Sequence, residues 1–394
     1  MEKFKVDFII KNGHVIDPAQ GINAVKTLAV KERRMVDIPQ GSGIDARWEF
    51  DAKDCLVVPG LIDFHSHYYY HGTTSSINPE IAFLAEGVTT AVDQGSAGLA
   101  NICNFLDTIA GLTVKTKVFL NVSAPGQPFG GYMPEPFVPE KWERSRFRDV
   151  LEYGGDRIVG LKMRTSKSVV LETGARAFYE SVKLAGDLGR NLVVHIVDPP
   201  MTQSDLANAM RQGDVMCHIY HGRGHTIYEN GKIAPAILKA RERGVIMDVA
   251  HGGQNISLNV AARAIADGFP PDVISADQSS LDWLVPDNYN LPYVMSQFLA
   301  FGMKIEDIIR CTTATPAKLL GMEGKVGTLA PGAFADITVL QIKNIPTVFQ
   351  NSFRETFKGE QLLIPQATFA NGLLVYKPID SAVKRDSEEF GHSI

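Results

Sequence analysis

The feature that most limits how this chain can fold is a repeated alternation of strand-like and helix-like segments. Eight apolar runs rich in β-branched residues recur about every 30 residues, and a helical pattern follows each run. Continuous apolar strands that alternate with helices predict an α/β fold whose parallel sheet is covered on both faces. Eight units are the number that a closed (β/α)8 TIM-like barrel requires, and an open doubly wound sheet is the alternative. The runs are LVVPGLIDFH, GVTTAVDQGS, KVFLNVSA, RIVGLKMR, NLVVHIVD, VMCHIY, GVIMDVAHGG and DVISADQ.

The two ends of the chain have a different pattern. Short strand-like runs separated by Gly, Pro and Asn fill the first 56 residues, and the same pattern returns after residue 327. These segments predict one small β-sandwich domain made of residues 1–57 and 325–380. The barrel is then expected to span residues 58–324, and residues 381–394 are predicted to form a polar tail.

Composition limits the classes of partner. With 394 residues, of which 45% are hydrophobic and 21% charged, the chain can bury a large core, and disorder of the whole chain is excluded. The formal net charge is −5 and no long basic block is present, so we expect neither nucleic acid nor an anionic membrane as a partner. A small-molecule substrate is expected instead, and the sequence leaves open a homo-oligomer.

The sequence also bears on the compartment. The apolar run near the N-terminus is too short for a secretory signal, and no stretch approaches the roughly 20 apolar residues of a membrane-spanning helix. The four cysteines are far apart and form no CxxC pair, which favours free thiols. We therefore expect a cytoplasmic protein. The cysteines are Cys55, Cys103, Cys217 and Cys311.

The most informative motif is GLIDFHSH, in which His65 and His67 stand two residues apart at the end of the first run. Side chains alternate along a strand, so both imidazoles point to the same side. At the C-terminal rim of a barrel they could bind one divalent metal ion. Taken alone, an incidental or structural pair explains the spacing equally well.

Four further candidates each end a different predicted strand, where barrel enzymes build their active sites. Lys162 is the unusual member, because an ammonium group has no lone pair and cannot ligate a metal. A buried lysine can lose its proton, and its neutral amine can take up carbon dioxide to form a carbamate that bridges two metal ions. A core lysine paired with a carboxylate is the alternative. The four candidates are Lys162, His195, His218 and Asp277.

These residues resemble those of the amidohydrolase superfamily. The resemblance covers nearly the whole chain and rests on VVPGLIDFHSH, on the four strand-end residues above, and on the segment from residue 312 to 340. Within the superfamily the chain is similar to predicted deacetylases that are often labelled dihydroorotase-like. The resemblance implies two divalent metal ions, usually zinc, with His65, His67 and Asp277 on one ion, His195 and His218 on the other, and carboxylated Lys162 between them.

Two metal ions that share a water lower its pKa, so the expected nucleophile is a metal-bridging hydroxide. Asp277 is expected to take the proton of this water and to return it to the leaving group as the acid–base catalyst. Imidazole and carboxylate ligands suit zinc, although iron, manganese and cobalt stay open. A nucleophilic serine is disfavoured, because no GxSxG motif surrounds Ser66.

Further residues are candidates for substrate binding. Dihydroorotases have an arginine two residues after the second histidine, where this chain has Tyr69, which argues against a dihydroorotase substrate. Arg164 is expected either to bind a substrate carboxylate or to pair with a neighbouring acid. His251, which stands beside two glycines, is a candidate for a hydrogen bond to the substrate or to Asp277, and Ser96 is a candidate for a hydrogen bond to the substrate. Tyr69 is expected either to line the mouth of the pocket and contact the substrate or to pack in the core.

The sequence therefore predicts a metal-dependent hydrolase that removes an acyl group, in the simplest case acetyl, from an N-acyl or O-acyl small carboxylic acid. Two alternatives belong to other classes. One is a cyclic amidase of the dihydroorotase or hydantoinase type, which Tyr69 disfavours. The other is a metal-free scaffold or binding homologue, which the retention of all six ligand-type residues disfavours.

Overall fold

The computed structural model describes residues 3–129, 135–280 and 289–379. The predicted polar tail at 381–394 lies outside the described residues. The middle of the chain forms one parallel sheet with helices on its outer face, and the two ends form two further sheets. Within the described ranges, no helix is both long enough and apolar enough to cross a membrane.

Strands from both ends of the chain share their sheets and one core. The sheet orders are β5-β4-β1-β6 and β19-β18-β17-β7-β2-β3, and β7 pairs antiparallel with β17. Phe8, Val15, Leu329 and Phe369 lie in a single buried cluster, so the first and last segments of the chain pack on each other. The strands are β1 Phe4–Lys11, β2 His14–Asp17, β3 Ile22–Val25, β4 Leu28–Lys31, β5 Arg34–Val36, β6 Ile44–Asp51, β7 Leu56–Pro59, β17 Ile337–Gln350, β18 Thr356–Ala370 and β19 Leu373–Tyr376.

Seven of the eight predicted runs form the parallel sheet in the order β16-β13-β12-β11-β10-β9-β8. The α/β fold with a parallel sheet that the sequence predicted is therefore confirmed. Strands β14 Tyr228–Glu229 and β15 Lys232–Ile233 form a separate small hairpin. The seven strands are β8 Leu61–Ser66, β9 Val88–Gly98, β10 Lys115–Asn121, β11 Ile158–Arg164, β12 Asn191–His195, β13 Val215–Cys217 and β16 Ile246–Asp248.

The eighth run, residues 272–278, contacts both edge strands of this sheet without forming a regular strand. Val273 bridges Asp248 at the end of β16, and Gln278 bridges Ser66 at the end of β8, both in parallel orientation. The run is irregular because Asp277 adopts φ 53°, which a β-strand does not accommodate, and its backbone N–H donates to the carbonyl of His65 at 2.7 Å.

Helices cover the outer face of the sheet and are started by side-chain caps. Asn78, Ser257 and Asn290 each accept a backbone N–H of the first helical turn, and Thr202 forms a capping box with Asp205. The α-helices are α1 Pro79–Ala82, α2 Ile102–Thr108, α3 Arg144–Gly154, α4 Lys167–Val170, α5 Ala175–Asp187, α6 Gln203–Ala209, α7 Pro235–Glu242, α8 Leu258–Ala266, α9 Leu291–Ala300, α10 Ile305–Thr312 and α11 Ala314–Leu319. Short 3-10 turns occupy Leu84–Glu86, Pro139–Lys141, Gly155–Arg157 and Leu171–Thr173.

A long hairpin, β17 and β18, reaches from the terminal segments to the loop that follows β16. At its turn the N–H of Ser352 donates to the carbonyl of Gly253 at 3.2 Å. The Asn351 amide donates to the Ile256 carbonyl at 2.9 Å, and Glu355 accepts the N–H of Leu258 at 2.7 Å. The turn thereby fixes the loop at residues 251–257, next to the residues of the predicted metal site.

Candidate metal centre

Asp277 lies at the centre of a cluster of histidines. Its Oδ1 is 3.5 Å from Nε2 of His65 and 3.4 Å from Nε2 of His67. Its Oδ2 is 3.9 Å from Nδ1 of His218. The rings of His65 and His67, which end the first predicted run, both point to the carboxylate of Asp277. Asp277 comes from the eighth run, at the other end of the predicted strand set.

Lys162 is buried beside the same histidines. Its side chain is 1% exposed, and its Nζ lies 3.2 Å from Nε2 of His65 and 3.4 Å from Sγ of Cys217. Among the described residues, no carboxylate oxygen lies within 4.0 Å of this amine, so the core ion pair that the sequence left open is not formed there. A Cβ at Gly95 would lie 2.7 Å from Cγ of Lys162, so the glycine gives this side chain its space.

His195 and His218 complete the cluster. Their ring centroids are 4.3 Å apart, and the centroid of His218 is 5.1 Å from that of His65. Nδ1 of His218 is 2.6 Å from the carbonyl oxygen of Ala250. Because a carbonyl only accepts hydrogen bonds, this contact puts the proton on Nδ1 and leaves the lone pair of Nε2 available.

Burial keeps these imidazoles neutral. It lowers the pKa of His218 to about 3, and it lowers the pKa values of His65 and His195 well below 6.5. The charge of Lys162 lowers the pKa of His65 further, and the neighbouring His218 and the charge of Arg164 lower that of His195. Neutral imidazole is the form that ligates metal ions.

Asp277 stays ionised in the same environment. Burial alone would raise its pKa, but the hydrogen bond from His67 and the electrostatic interactions with His218, His67 and Lys162 hold that pKa below its ordinary value. The Asn255 amide also donates to Oδ2 at 2.9 Å. At neutral pH this carboxylate can therefore ligate a cation or accept a proton.

Three residues of the cluster hold an unusual backbone conformation. His218, Ala250 and Asp277 have φ values of 65°, 42° and 53°, in the left-handed region that few non-glycine residues enter. Such strain concentrates at functional sites. His218 directly follows Cys217 in the chain. Because of the unusual backbone at His218, the side chains of both residues face the cluster, whereas a regular strand would direct only one of them there.

The donor set fits a divalent metal ion. Ligand atoms of His65, His67 and Asp277 all lie within 4.8 Å of one another, and so do those of His65, Cys217 and His218. Imidazole nitrogens and a carboxylate oxygen are the ligands that zinc accepts. The deep burial of all these groups except His67, which is half-buried, accords with a site that holds charge away from water.

Two of the predicted substrate-binding residues have protein partners. Arg164 is ion-paired through its Nε with Glu135, which is itself buried and accepts the Asn121 amide at 3.0 Å. This pairing is the second of the two roles that the sequence left open for Arg164. Ser96 is hydrogen-bonded through its hydroxyl to Nδ1 of His67 at 2.9 Å, so it orients that ring.

The other two, Tyr69 and His251, are both buried. Tyr69 stacks on Phe105 at a centroid distance of 4.5 Å, and its hydroxyl donates to Asn104 on α2 at 2.7 Å. His251 is fully buried, accepts the Gly253 N–H on Nδ1 at 3.1 Å, and has no hydrogen-bond partner for Nε2 among the described residues. Burial lowers the pKa of His251 to about 4, so its ring is neutral.

Comparison with known proteins decides the family. The model of the amidohydrolase family matches residues 56–372, which is most of the chain. The chain belongs to the amidohydrolase family. As its motifs predicted, the protein is therefore an enzyme, a hydrolase of a family that generally uses a metal centre.

This amidohydrolase has curated relatives over most of its length. It is 31% identical over 318 residues to a deacetylase of Agrobacterium fabrum, and the matched region covers 80% of this chain and 78% of the relative. It is 26% identical over 379 residues to a deacetylase of Enterococcus faecalis, which covers 93% of this chain and 98% of the relative.

Solved structures share the fold. An adenine deaminase superposes with a TM-score of 0.86 at 24% identity, covering 95% of this chain and all of that one. A dihydroorotase superposes with a TM-score of 0.83 at 26% identity, covering 93% and 97%. The adenine deaminase likeness shows the fold alone.

Two residues that contact the cluster are not predicted from the sequence. Cys217 is expected there only as a free thiol, although its position directly before His218 signals a place beside the site. Asp248 ends β16, and its Oδ2 is 3.1 Å from Nδ1 of His65 while Ser275 donates to its Oδ1 at 2.5 Å. Burial raises the pKa of Asp248 to about 7. Above that pH its carboxylate accepts a hydrogen bond from Nδ1–H of His65, which leaves the Nε2 lone pair facing Lys162 and Asp277.

We expect Asp248→Asn to weaken metal binding by about 10- to 100-fold, the usual effect of removing an outer carboxylate that orients a ligating histidine. The measurement is competition for zinc against a chelator of known affinity at pH 8. The exposed Asp267, which pairs with Arg263, offers the control Asp267→Asn, and this variant should bind zinc like the wild type. Equal affinity in all three proteins would contradict the assigned role.

Proposed function

We propose that this amidohydrolase is a binuclear metal-dependent deacylase that removes an acyl group, in the first instance acetyl, from an N-acyl or O-acyl small carboxylic acid. The observation that carries the proposal is that six side chains converge on one point. They are the neutral imidazoles of His65, His195 and His218, the ring of His67, the ionised Asp277 and the buried amine of Lys162, which has no carboxylate partner among the described residues. The curated relatives named deacetylases support acyl transfer to water as the reaction.

The cluster divides into two ligand groups. His65, His67 and Asp277 would hold one ion, His195 and His218 would hold the other, and Lys162 would bridge them as a carbamate. The carbamate forms in two steps: the ammonium group first loses one proton, and the neutral amine then bonds to the carbon of CO2 and loses a second proton to solvent, which turns a cation into an anion with two oxygens. When bound, the two ions, most simply zinc, would activate a water and polarise the substrate carbonyl.

Asp277 is assigned the proton transfers. The Asn255 amide occupies Oδ2 at 2.9 Å, which leaves Oδ1 directed at the imidazoles. Oδ1 would accept the proton of the attacking water and later donate it to the leaving nitrogen or oxygen. Because the pKa of Asp277 is held below its ordinary value, the carboxylate is in the basic form when the substrate arrives.

The remaining site residues would bind or orient. Ser96 holds Nδ1 of His67, so it fixes the plane of that ring. His251 Nε2 has no partner among the described residues and is assigned a hydrogen bond to the substrate. Tyr69 is uncharged at the position where a dihydroorotase has an arginine, and its hydroxyl is bound to Asn104. This arrangement favours an acyl substrate over the carboxylated ring of dihydroorotate.

The proposal includes closure of the sheet into a (β/α)8 barrel by residues 272–278. The bridges from Val273 to Asp248 and from Gln278 to Ser66 support this closure from both edges. Closure accounts for the position of Asp277, which would come from the eighth strand position and face His65 on the first.

We expect the purified enzyme to contain about two divalent ions per chain and to hydrolyse N-acetyl or O-acetyl acids. Treatment with a strong chelator should remove the ions, lower the melting temperature and abolish turnover, and zinc should restore all three. The measurements are elemental analysis, a thermal melt and acetate release. Full turnover by metal-free protein would contradict the proposal, and ring opening of a hydantoin without acetate release would favour the cyclic amidase.

A further inference from the structure

We propose that Arg223 and Asn255 form the subsite that binds the carboxylate of the substrate, in place of Arg164. The inference rests on the proposed function and names the group that selects acids over neutral acyl compounds. Arg223 lies in the loop after β13, five residues beyond His218, and Asn255 lies in the loop after β16.

Arg223 is connected to the centre of the site through one carboxamide. Its Nη2 donates to Oδ1 of Asn255 at 3.3 Å, and Nδ2 of Asn255 donates to Oδ2 of Asp277 at 2.9 Å. The guanidinium is thus held one side chain away from the carboxylate assigned to proton transfer. An acid whose carboxylate lies a few bonds from the scissile carbonyl, such as a 2-acylamino or 2-acyloxy acid, would span this separation.

The charge of Arg223 is available to a ligand. The residue is exposed, and no carboxylate oxygen of the described residues lies within 4.0 Å of its guanidinium. Its carbon Cζ is 5.7 Å from the ring centre of Phe353 on the turn between β17 and β18. The bond to Asn255 uses one of five N–H donors, so donors remain for a bidentate bond to a carboxylate.

The backbone on both sides of Arg223 is closely confined. A Cβ at Gly222 would lie 2.8 Å from Cβ of Ser257, and a Cβ at Gly224, where φ is 64°, would lie 2.8 Å from Oδ1 of Asp198. A side chain at Gly222 would displace Ser257, and the positive φ at Gly224 favours glycine there. The backbone conformation is therefore restricted at Gly222 and Gly224, the residues that flank Arg223, and this restriction limits the positions that the Arg223 side chain can reach.

Arg164 differs in its charge balance. It is paired with the buried carboxylate of Glu135, whose other oxygen accepts the Asn121 amide. A substrate carboxylate at Arg164 would face the like charge of Glu135, and like charges close together repel strongly at a partly buried site. Among the described residues no carboxylate oxygen lies within 4.0 Å of the Arg223 guanidinium, and the nearby Asp198 is paired with Lys167 at 3.0 Å, so the two arginines predict different kinetics.

The test compares Arg223→Gln with wild type on an N-acetyl amino acid and on the methyl amide of the same compound. We expect kcat/KM for the acid to fall about 10- to 100-fold, chiefly through KM, because a charge-assisted hydrogen bond is lost. The neutral amide should change less than about threefold, and Arg223→Lys should keep part of the preference for the acid. Arg146→Gln, at an exposed arginine on α3 that pairs with Glu143, is the control for loss of one surface charge.

A binding measurement keeps the inference separate from the proposed function. Calorimetry on the zinc-loaded proteins would compare a free 2-hydroxy acid with its amide. Suppose that the wild type deacylates its substrate. If Arg223→Gln then lowers kcat/KM equally for the acid and the amide, or lowers it for neither, the inference is wrong and the proposed function stands. If wild type deacylates nothing yet Arg223→Gln binds the acid more weakly and the amide normally, the subsite stands and the function fails. A further comparison uses the double variant that carries Arg164→Gln and Glu135→Gln. If this double variant loses the preference for the acid and Arg223→Gln keeps it, Arg164 binds the substrate carboxylate and the inference is wrong.

Discussion

Replacing Lys162 with alanine or methionine should give a folded protein that has lost the bridged metal pair and at least about 10³-fold of its turnover, on the order of 4 kcal/mol of transition-state stabilisation. The amine lies 3.2 Å from Nε2 of His65, at the point where a carbamate would join the two ligand groups. Methionine conserves the volume of the lysine side chain, so it removes the nitrogen without leaving a large cavity. The measurements are metal content and acetate release after reconstitution with zinc and bicarbonate.

Lys117 on the neighbouring strand β10 offers a matched control. It is also buried, but its Nζ binds Asp156 at 3.0 Å instead of the histidine cluster. Lys117→Met should therefore lower the melting temperature and leave metal content and kcat unchanged. Two ions per chain and normal turnover in both Lys162 variants would refute the carbamate.

Asp277→Asn should retain metal and lose about 10²-fold or more in kcat, since an amide cannot accept and return a proton. The five other ligand-type residues would keep the ions in place. The measurements are steady-state kinetics and elemental analysis of the same preparation. Asp272→Asn, at the start of the same run and paired with Arg241 at 3.0 Å, is the control and should leave kcat unchanged.

Two outcomes would change the role of Asp277. A normal rate in Asp277→Asn would remove the residue from proton transfer. Parallel loss of metal and rate would assign it to ligation alone.

The parts of the molecule that follow from local pattern were predictable from the sequence. Seven apolar runs form the seven strands, and Lys162 and Arg164 share one side of β11, as a period of two requires. The eighth run was expected to be a strand, but the backbone at Asp277 departs from the β region, and no residue type in DVISADQ announces that departure.

Contacts that depend on distant segments were not predictable. The partner of His65, Asp248, lies 183 residues away and is brought to it only by the curvature of the whole sheet. The backbone conformation of His218 also turns its ring toward the cluster at a position where regular alternation places Cys217. The pairing of Arg164 with Glu135 depends on a loop whose path no periodic pattern describes.

The hairpin that joins β17 to β18 has a consequence for how the protein is made. Its turn binds the loop of Asn255, so contacts that steady Asp277 are supplied by a segment that is synthesised after all the ligand-type residues. A nascent chain that has emerged only as far as α11 already carries every ligand-type residue, yet it lacks this support. Synthesis therefore has to pass Glu355 before the reaction centre acquires its final geometry.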